Sequence, residues 1–90
     1  MREMIIDIVP FETYQNVWVC DTDNKETIIL GKVRTDEIFN YPCLMFSKYN
    51  FSKVILKGNE NYCKKVKEDI LKRQNENFNK QFFDVEIKGE

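Results

Sequence analysis

The sequence predicts an α/β fold of the α+β kind, one small domain over residues 1–90 with a mixed sheet and the element order β-β-β-α-β-α-β. Three features point to it. Lys53 to Arg73 reads as an apolar strand, a glycine turn and an amphipathic helix. Two β runs flank the polar turn Asp21 to Lys25. The C-terminal run alternates apolar and charged residues from Gln81 to Lys88.

The first strand is expected over Met4–Val9, with Ile6 and Ile8 on one face and Ile5, Asp7 and Val9 on the other. Pro10 ends it, because proline gives no donor to a sheet ladder. Phe11 to Asn16 reads as a polar connection. Val17 to Cys20 is the second strand, with Trp18 as buried mass. Asp21-Thr22-Asp23-Asn24-Lys25 is a hairpin turn. Its three acceptors resemble the opening of a calcium loop, but the sixth and twelfth positions are Glu26 and Lys32 where that loop needs Gly and Glu. Glu26 to Val33 is the third strand, and Gly31 marks a bulge.

Thr35 is positioned to cap a helical turn through Asp36, Glu37 and Ile38. Proline is tolerated at a helix start, so the first helix is expected from Pro42 to Tyr49, with Asn50 as its stop. Val54, Ile55 and Leu56 form an unbroken apolar run, which suits a strand covered on both faces. Gly58 permits positive φ, and Asn59 is a good N-cap for the second helix. On that helix Tyr62, Val66 and Ile70 recur at steps of four, with lysines and acids on the other face. Gln74 to Lys80 is a polar helix end and loop. In the last strand Phe83, Val85 and Ile87 point inward, and Phe82, Asp84, Glu86 and Lys88 outward.

Composition narrows the function. There is no histidine, so Ser–His and Cys–His nucleophilic systems and histidine-ligated zinc are absent. Cys20, Cys43 and Cys63 form no CxxC pair, which argues against a disulfide framework and for a reducing, cytoplasmic setting. Cys20 and Cys63 read as small buried hydrophobes. Net charge is −1 and the pI about 5.5, which makes a nucleic-acid partner unlike the usual basic binder. The lysines of the second helix lie among Glu68 and Asp69 and read as a solvated face. No phosphate-loop motif occurs, and one glycine at Gly58 is a strand-to-helix connection before it is an anion site. The N-terminal apolar run is broken by Asp7 and reads as neither a signal peptide nor a membrane span. The abundance of Asn and Lys fits an AT-rich source, such as a low-GC bacterium or its phage.

The element order resembles the ribonuclease H-like fold, shared with actin-like ATPase half-domains; a ferredoxin-like α+β sandwich is the alternative. Ribonuclease H-like nucleases place an acidic residue in the middle of strand one, and Asp7 matches it. They place another just after the fourth strand, where this chain has Lys57, Gly58 and Asn59, with Glu60 nearby. A first-helix carboxylate would be Glu37, which precedes the helix start at Pro42. The actin-like phosphate loop, Asp followed closely by Gly, is replaced by Asp7-Ile8-Val9-Pro10.

Three function classes are weighed. The first is a cytosolic, non-enzymatic protein-interaction module, a phage or mobile-element accessory protein. It has no cofactor and binds a protein or a second copy of itself through Phe39, Tyr41, Phe46 and Tyr49. Its motive is the surplus of large apolar groups between Ile38 and Phe51. The second is a magnesium-dependent nuclease or phosphotransferase using Asp7, with Glu60 or Asp84 as co-ligand. Two-metal hydrolysis needs carboxylates converging on ions about 4 Å apart. The third is a nucleic-acid-binding module using the second-helix lysines.

Overall fold

Strands β1 (Arg2–Ile8), β2 (Tyr14–Asp21) and β3 (Glu26–Arg34) come first in the computed structural model, which describes residues 1–76 and 83–89. Helix α1 (Tyr41–Tyr49), strand β4 (Lys53–Gly58), helix α2 (Glu60–Asn75) and strand β5 (Asp84–Gly89) follow. This is the predicted order, with a 3-10 turn at Thr35–Glu37 ahead of α1. The expected start of the last strand at Gln81, the outward position of Phe82, and most of the loop to Lys80 lie outside the described residues.

The strands form one five-stranded sheet in the order β3-β2-β1-β4-β5. The β1–β2 and β2–β3 pairs are antiparallel, and β1, β4 and β5 run parallel. The parallel steps need crossovers, which α1 and α2 supply. Both helices pack on one face. Cys43 of α1 and Cys63 and Ile70 of α2 share a core with Met4, Ile6, Ile8, Val17, Val19, Val54 and Leu56. Phe51 fills the corner between α1 and β5. Its ring lies 5.5 Å from Phe46 and 5.4 Å from Phe83. Phe83 and Val85 are buried and Ile87 packs against the core, while Asp84, Glu86 and Lys88 are exposed, as their alternation requires.

Local sequence explains the joints. Gly58 sits at φ +124°, and a Cβ there would lie 2.2 Å from the Ile8 carbonyl oxygen, so only glycine lets β4 close against β1. The Asn59 side chain then accepts hydrogen bonds from the amides of Asn61 (3.0 Å) and Tyr62 (3.2 Å), capping α2. Asn50 closes α1 in the left-handed conformation, its amide donating to the Phe46 carbonyl at 2.8 Å. Gly31, at φ +95°, takes part in a β-bulge. Val17 pairs with Gly31 and Trp18 with Ile29, which leaves Leu30 as the extra residue. At the β2–β3 turn, Asp21 Oδ1 accepts from the amides of Asp23 (3.0 Å) and Asn24 (3.3 Å).

Four expectations are corrected. The second strand begins at Tyr14, because Gln15, read as part of a polar connection, is a buried strand residue whose amide is satisfied internally. Thr35 makes no side-chain cap; its hydroxyl donates instead to the Glu12 carbonyl. Strand β4 is covered by helices on one face only. Trp18 and Cys20 are half-buried, because both point to the face that the helices leave open.

Candidate functional site

The helix-free face of the sheet is built from the residues that alternate with the core. In β1, β2, β3 and β4 an apolar residue stands between two others: Met4-Ile5-Ile6, Val17-Trp18-Val19, Ile28-Ile29-Leu30 and Val54-Ile55-Leu56. The outer members of these triplets face the helices. The register aligns the middle ones. Trp18 pairs with Ile29, Ile5 with Trp18, and Ile5 with Ile55. The result is an apolar row across four strands, Ile29-Trp18-Ile5-Ile55, perpendicular to the strand direction.

Exposure rises along this row toward the β3 edge. Ile55 and Ile5 are 4% and 8% exposed, Trp18 is half-buried and Ile29 is 81% exposed. Among the described residues, no helix or strand is layered over it. A shallow groove of about 330 Å³ runs beside Trp18 and Ile29, bordered by Asn16 and Thr27.

Charges frame the row in two parallel lines. At the N-terminal ends of the parallel strands stand Glu3, Lys53 and Asp84, with Glu86 beside Ile55. Lys53 bonds to Glu86 at 3.0 Å, and this contact holds its ammonium above the usual lysine range. At the C-terminal ends stand Asp7, Lys57, Lys88 and, across β2, Lys32. The Lys57 ammonium lies 6.0 Å from the centre of the Trp18 ring, at the outer limit of a cation–π contact. One end of the face is therefore net acidic and the other net basic.

The carboxylates expected to form a metal site are not gathered. Asp7 is near the C-terminal end of β1, in register with Lys57 and Lys88. Asp84 opens β5, in register with Lys53 and Glu3. Because the strands are parallel, the two acids lie at opposite ends of the sheet, about 13 Å apart along the strands and about 10 Å across them. Glu60 begins α2 and faces Lys64 at 3.6 Å. Glu37 is in the 3-10 turn, outside α1. Among the described residues no group of three or more His, Cys, Asp or Glu is placed to hold a metal ion.

The aromatic segment divides. Phe39 is exposed, beside Asp69, Lys72, Arg73 and Glu76 in a shallow depression. Tyr41, Phe46 and Tyr49 are partly buried and pack against the core. Burial pushes the Tyr41 phenol and the Cys43 thiol above their ordinary pKa values, so neither is primed as a nucleophile. On α2, Lys64 pairs with Glu60, Lys65 with Asp69 at 3.0 Å and Arg73 with Glu76, which leaves a neutralised helix face. The Asn59 cap occupies two of the amides that an anion at the start of α2 would need.

No family model matches the chain, and no curated protein matches it. A crystal structure of Pelota from Archaeoglobus fulgidus, described for its inter-domain structural plasticity, is similar in fold. The TM-score is 0.57 at 15% identity, over 99% of this chain and 26% of the Pelota chain. This chain thus spans about a quarter of that protein. The likeness shows a mixed α/β sheet and carries neither the ribonuclease H-like resemblance nor a mobile-element origin.

The apolar row was missed by reading strands one at a time. Its signal is nonetheless in the sequence: four triplets patterned for burial on both faces. What the sequence does not carry is the register that brings their middle residues together. No helix of the described residues is long and apolar enough to cross a membrane.

Proposed function

We propose that this chain is a non-enzymatic protein-interaction module whose binding surface is the helix-free face of its sheet. The observation that supports this most is the mismatch between pattern and cover. Four strands carry apolar residues in both phases, as strands buried on two faces do, yet the helices cover one face. Half-buried Trp18 and exposed Ile29 are the anchor residues, and aromatic and aliphatic anchors inside a charged frame suit a protein interface. The element order supports a ribonuclease H-like connectivity, but the separation of Asp7 from Asp84 favours binding over metal-assisted hydrolysis. A reducing, cytoplasmic setting fits Cys20 and Cys43, which form no disulfide.

The test compares the wild-type chain with an Ile29→Glu, Trp18→Ser variant whose fold is checked by circular dichroism. Association of the wild type, with itself or with a protein captured from an extract of its source cells, should fall at least tenfold in the variant. Equal association by both chains, or none by either, overturns the reading.

A further inference from the structure

From the pattern of the last strand we infer a second interaction surface, separate from the helix-free face: the outer edge of β5, which pairs antiparallel with β5 of a second copy of this chain. The two-fold axis stands perpendicular to the sheet at Ile87, and the two sheets join edge to edge into one.

The sheet ends in β3 on one side and β5 on the other. The β3 edge is broken by the bulge at Leu30 and Gly31, a device that keeps edges from pairing. Strand β5 has no such break and pairs with β4 in continuous register from Asp84 to Gly89. The Asp84 amide donates to the Ser52 carbonyl at 3.1 Å, so the backbone groups of Asp84, and by alternation those of Glu86 and Lys88, point into the sheet. Those of Phe83, Val85, Ile87 and Gly89 point outward. At Phe83 the Gln74 side chain takes both groups. The Phe83 amide donates to Gln74 Oε1 at 3.0 Å, and Gln74 Nε2 donates to the Phe83 carbonyl at 3.4 Å. This closes the start of the edge and leaves Val85, Ile87 and Gly89, with no described strand on their outer side.

A two-fold axis perpendicular to the sheet keeps the helix side of both copies together, so residues directly opposite one another share a face. Several registers meet that condition and use the outward backbone groups; charge chooses between them. An axis at Val85 sets Asp84 on Glu86, an axis at Glu86 sets Glu86 on Glu86, and an axis at Lys88 sets lysine on lysine. An axis at Ile87 sets Glu86 of each copy opposite Lys88 of the other, and Asp84 falls beyond the ladder. Glu86 and Lys88 are both exposed. Lys88 stands beside Lys57 and makes no ion pair with another described residue, so the partner's Glu86 supplies the charge that it lacks. Opposite charges across a strand pair stabilise the ladder. On the helix side Ile87 meets Ile87 and Val85 meets Gly89. The contact is isologous and self-complementary, as a symmetric dimer requires.

A ladder of about five residues buries less than the roughly 1,200 Å² of a standard interface, so the pair is weak, dissociating at ~100 μM or above. Read at about 10 μM, where the edge pair is largely apart, association through Trp18 and Ile29 is scored separately.

Sedimentation equilibrium up to about 1 mM should show a monomer–dimer equilibrium for the wild type. Glu86→Lys and Lys88→Glu should each associate at least tenfold more weakly, and their equimolar mixture should pair as tightly as the wild type. A chain carrying both reversals keeps unlike charges opposite in this register alone, and should recover the wild-type dimer. Gly89→Pro, which removes an outward amide and no side chain, should weaken pairing at least tenfold. Hydrogen exchange reads the edge directly: the Val85 and Ile87 amides should slow at least fivefold between dilute and concentrated protein, while those of Glu86 and Lys88, bonded to β4 in both states, stay unchanged. A monomeric wild type, a mixture no better than its components, a double reversal that does not recover, or exchange at Val85 and Ile87 indifferent to concentration overturns the inference. The Ile29→Glu, Trp18→Ser variant should keep the edge pair, and its loss there would also overturn it. A chain that stays monomeric yet captures another protein through Trp18 and Ile29 removes the edge pair and leaves the interaction module standing. An edge pair without that capture does the reverse.

Discussion

Gln15 and Val9 exchange two hydrogen bonds: the Val9 amide donates to Gln15 Oε1 at 2.8 Å, and Gln15 Nε2 donates to the Val9 carbonyl at 2.9 Å. The side-chain amide thus stands in for a strand backbone at the point where Pro10 stops the β1–β2 ladder. Gln15 Nε2 also reaches the Thr35 hydroxyl at 3.1 Å, and that hydroxyl donates to the Glu12 carbonyl. One buried residue, 2% exposed, therefore ties the end of β1, the β1–β2 loop and the entry to the 3-10 turn together. The loop it closes carries Phe11 at φ +67°, a conformation that L residues seldom adopt and that costs roughly 1–3 kcal/mol unless its surroundings impose it.

Gln15→Met should accordingly destabilise the fold by about 2–3 kcal/mol. The substitution keeps side-chain length and removes all three hydrogen bonds, leaving the Val9 amide and carbonyl to find water at a partly buried site. A urea unfolding midpoint lowered with an unchanged slope would bear this out. A change below about 0.5 kcal/mol would mean that the network adds nothing beyond solvation.

Much of this architecture was legible locally. The glycine turn, the Asn59 cap, the Asn50 stop, the bulge at Gly31 and the inward phase of Phe83, Val85 and Ile87 each follow from a few neighbouring residues. The features that escaped depend on pairing between distant strands. Asp7 and Asp84 read as strand-end acids that converge, until parallel register places one at the end of β1 and the other at the start of β5. Trp18 reads as core until its phase is fixed by Val17 and Val19, which take the helix side. Gln15 reads as loop, because a glutamine that replaces a backbone partner looks like any polar residue.

Phe46 and Phe39 should behave oppositely, although both belong to one aromatic run. Phe46 contacts Phe51 edge-on and lies 5.8 Å from Phe83, so Phe46→Ala should cost about 2–4 kcal/mol through lost burial and a cavity. Exposed Phe39 should tolerate alanine within about 0.5 kcal/mol. Thermal unfolding of the two variants in parallel decides this, and equal losses would show that Phe39 is a core residue too.

The two positive-φ glycines should also differ. Gly58→Ala puts a methyl group against the Ile8 carbonyl oxygen in a backbone conformation hostile to L residues. The cost should exceed about 3 kcal/mol or prevent folding at 37 °C. Gly31→Ala meets nothing within 4 Å and pays conformational strain alone, roughly 1–2 kcal/mol. Comparable midpoints for the two variants would contradict the close approach at Gly58.

Asp21 links stability to acidity. The Asn24 amide, then that of Asp23, holds its carboxyl below the ordinary value of 3.8. A carboxylate depressed in the folded state stabilises above its unfolded pKa, and that contribution disappears as pH falls through the folded value. Wild type and Asp21→Ala should therefore differ by a constant amount above about pH 5 and converge on acidification below 3.8. Parallel urea midpoints across the whole acid range would show that the turn amides do not bind the charged form preferentially.

Magnesium should find no shared site among the acids. Asp7 and Asp84, at opposite ends of parallel strands, cannot bridge ions about 4 Å apart, and Glu60 is engaged by Lys64. Backbone amide spectra titrated with magnesium to about 10 mM should show only small, dispersed shifts, since isolated surface carboxylates hold the ion through its water shell. A trace of manganese should broaden Asp7 and Asp84 no more than exposed Asp36 or Glu68. Selective broadening shared by Asp7, Gly58 and Glu60 would instead mean that the C-terminal edge of β1 and β4 gathers a cation, and a hydrolytic reading of that edge would take precedence over the open face.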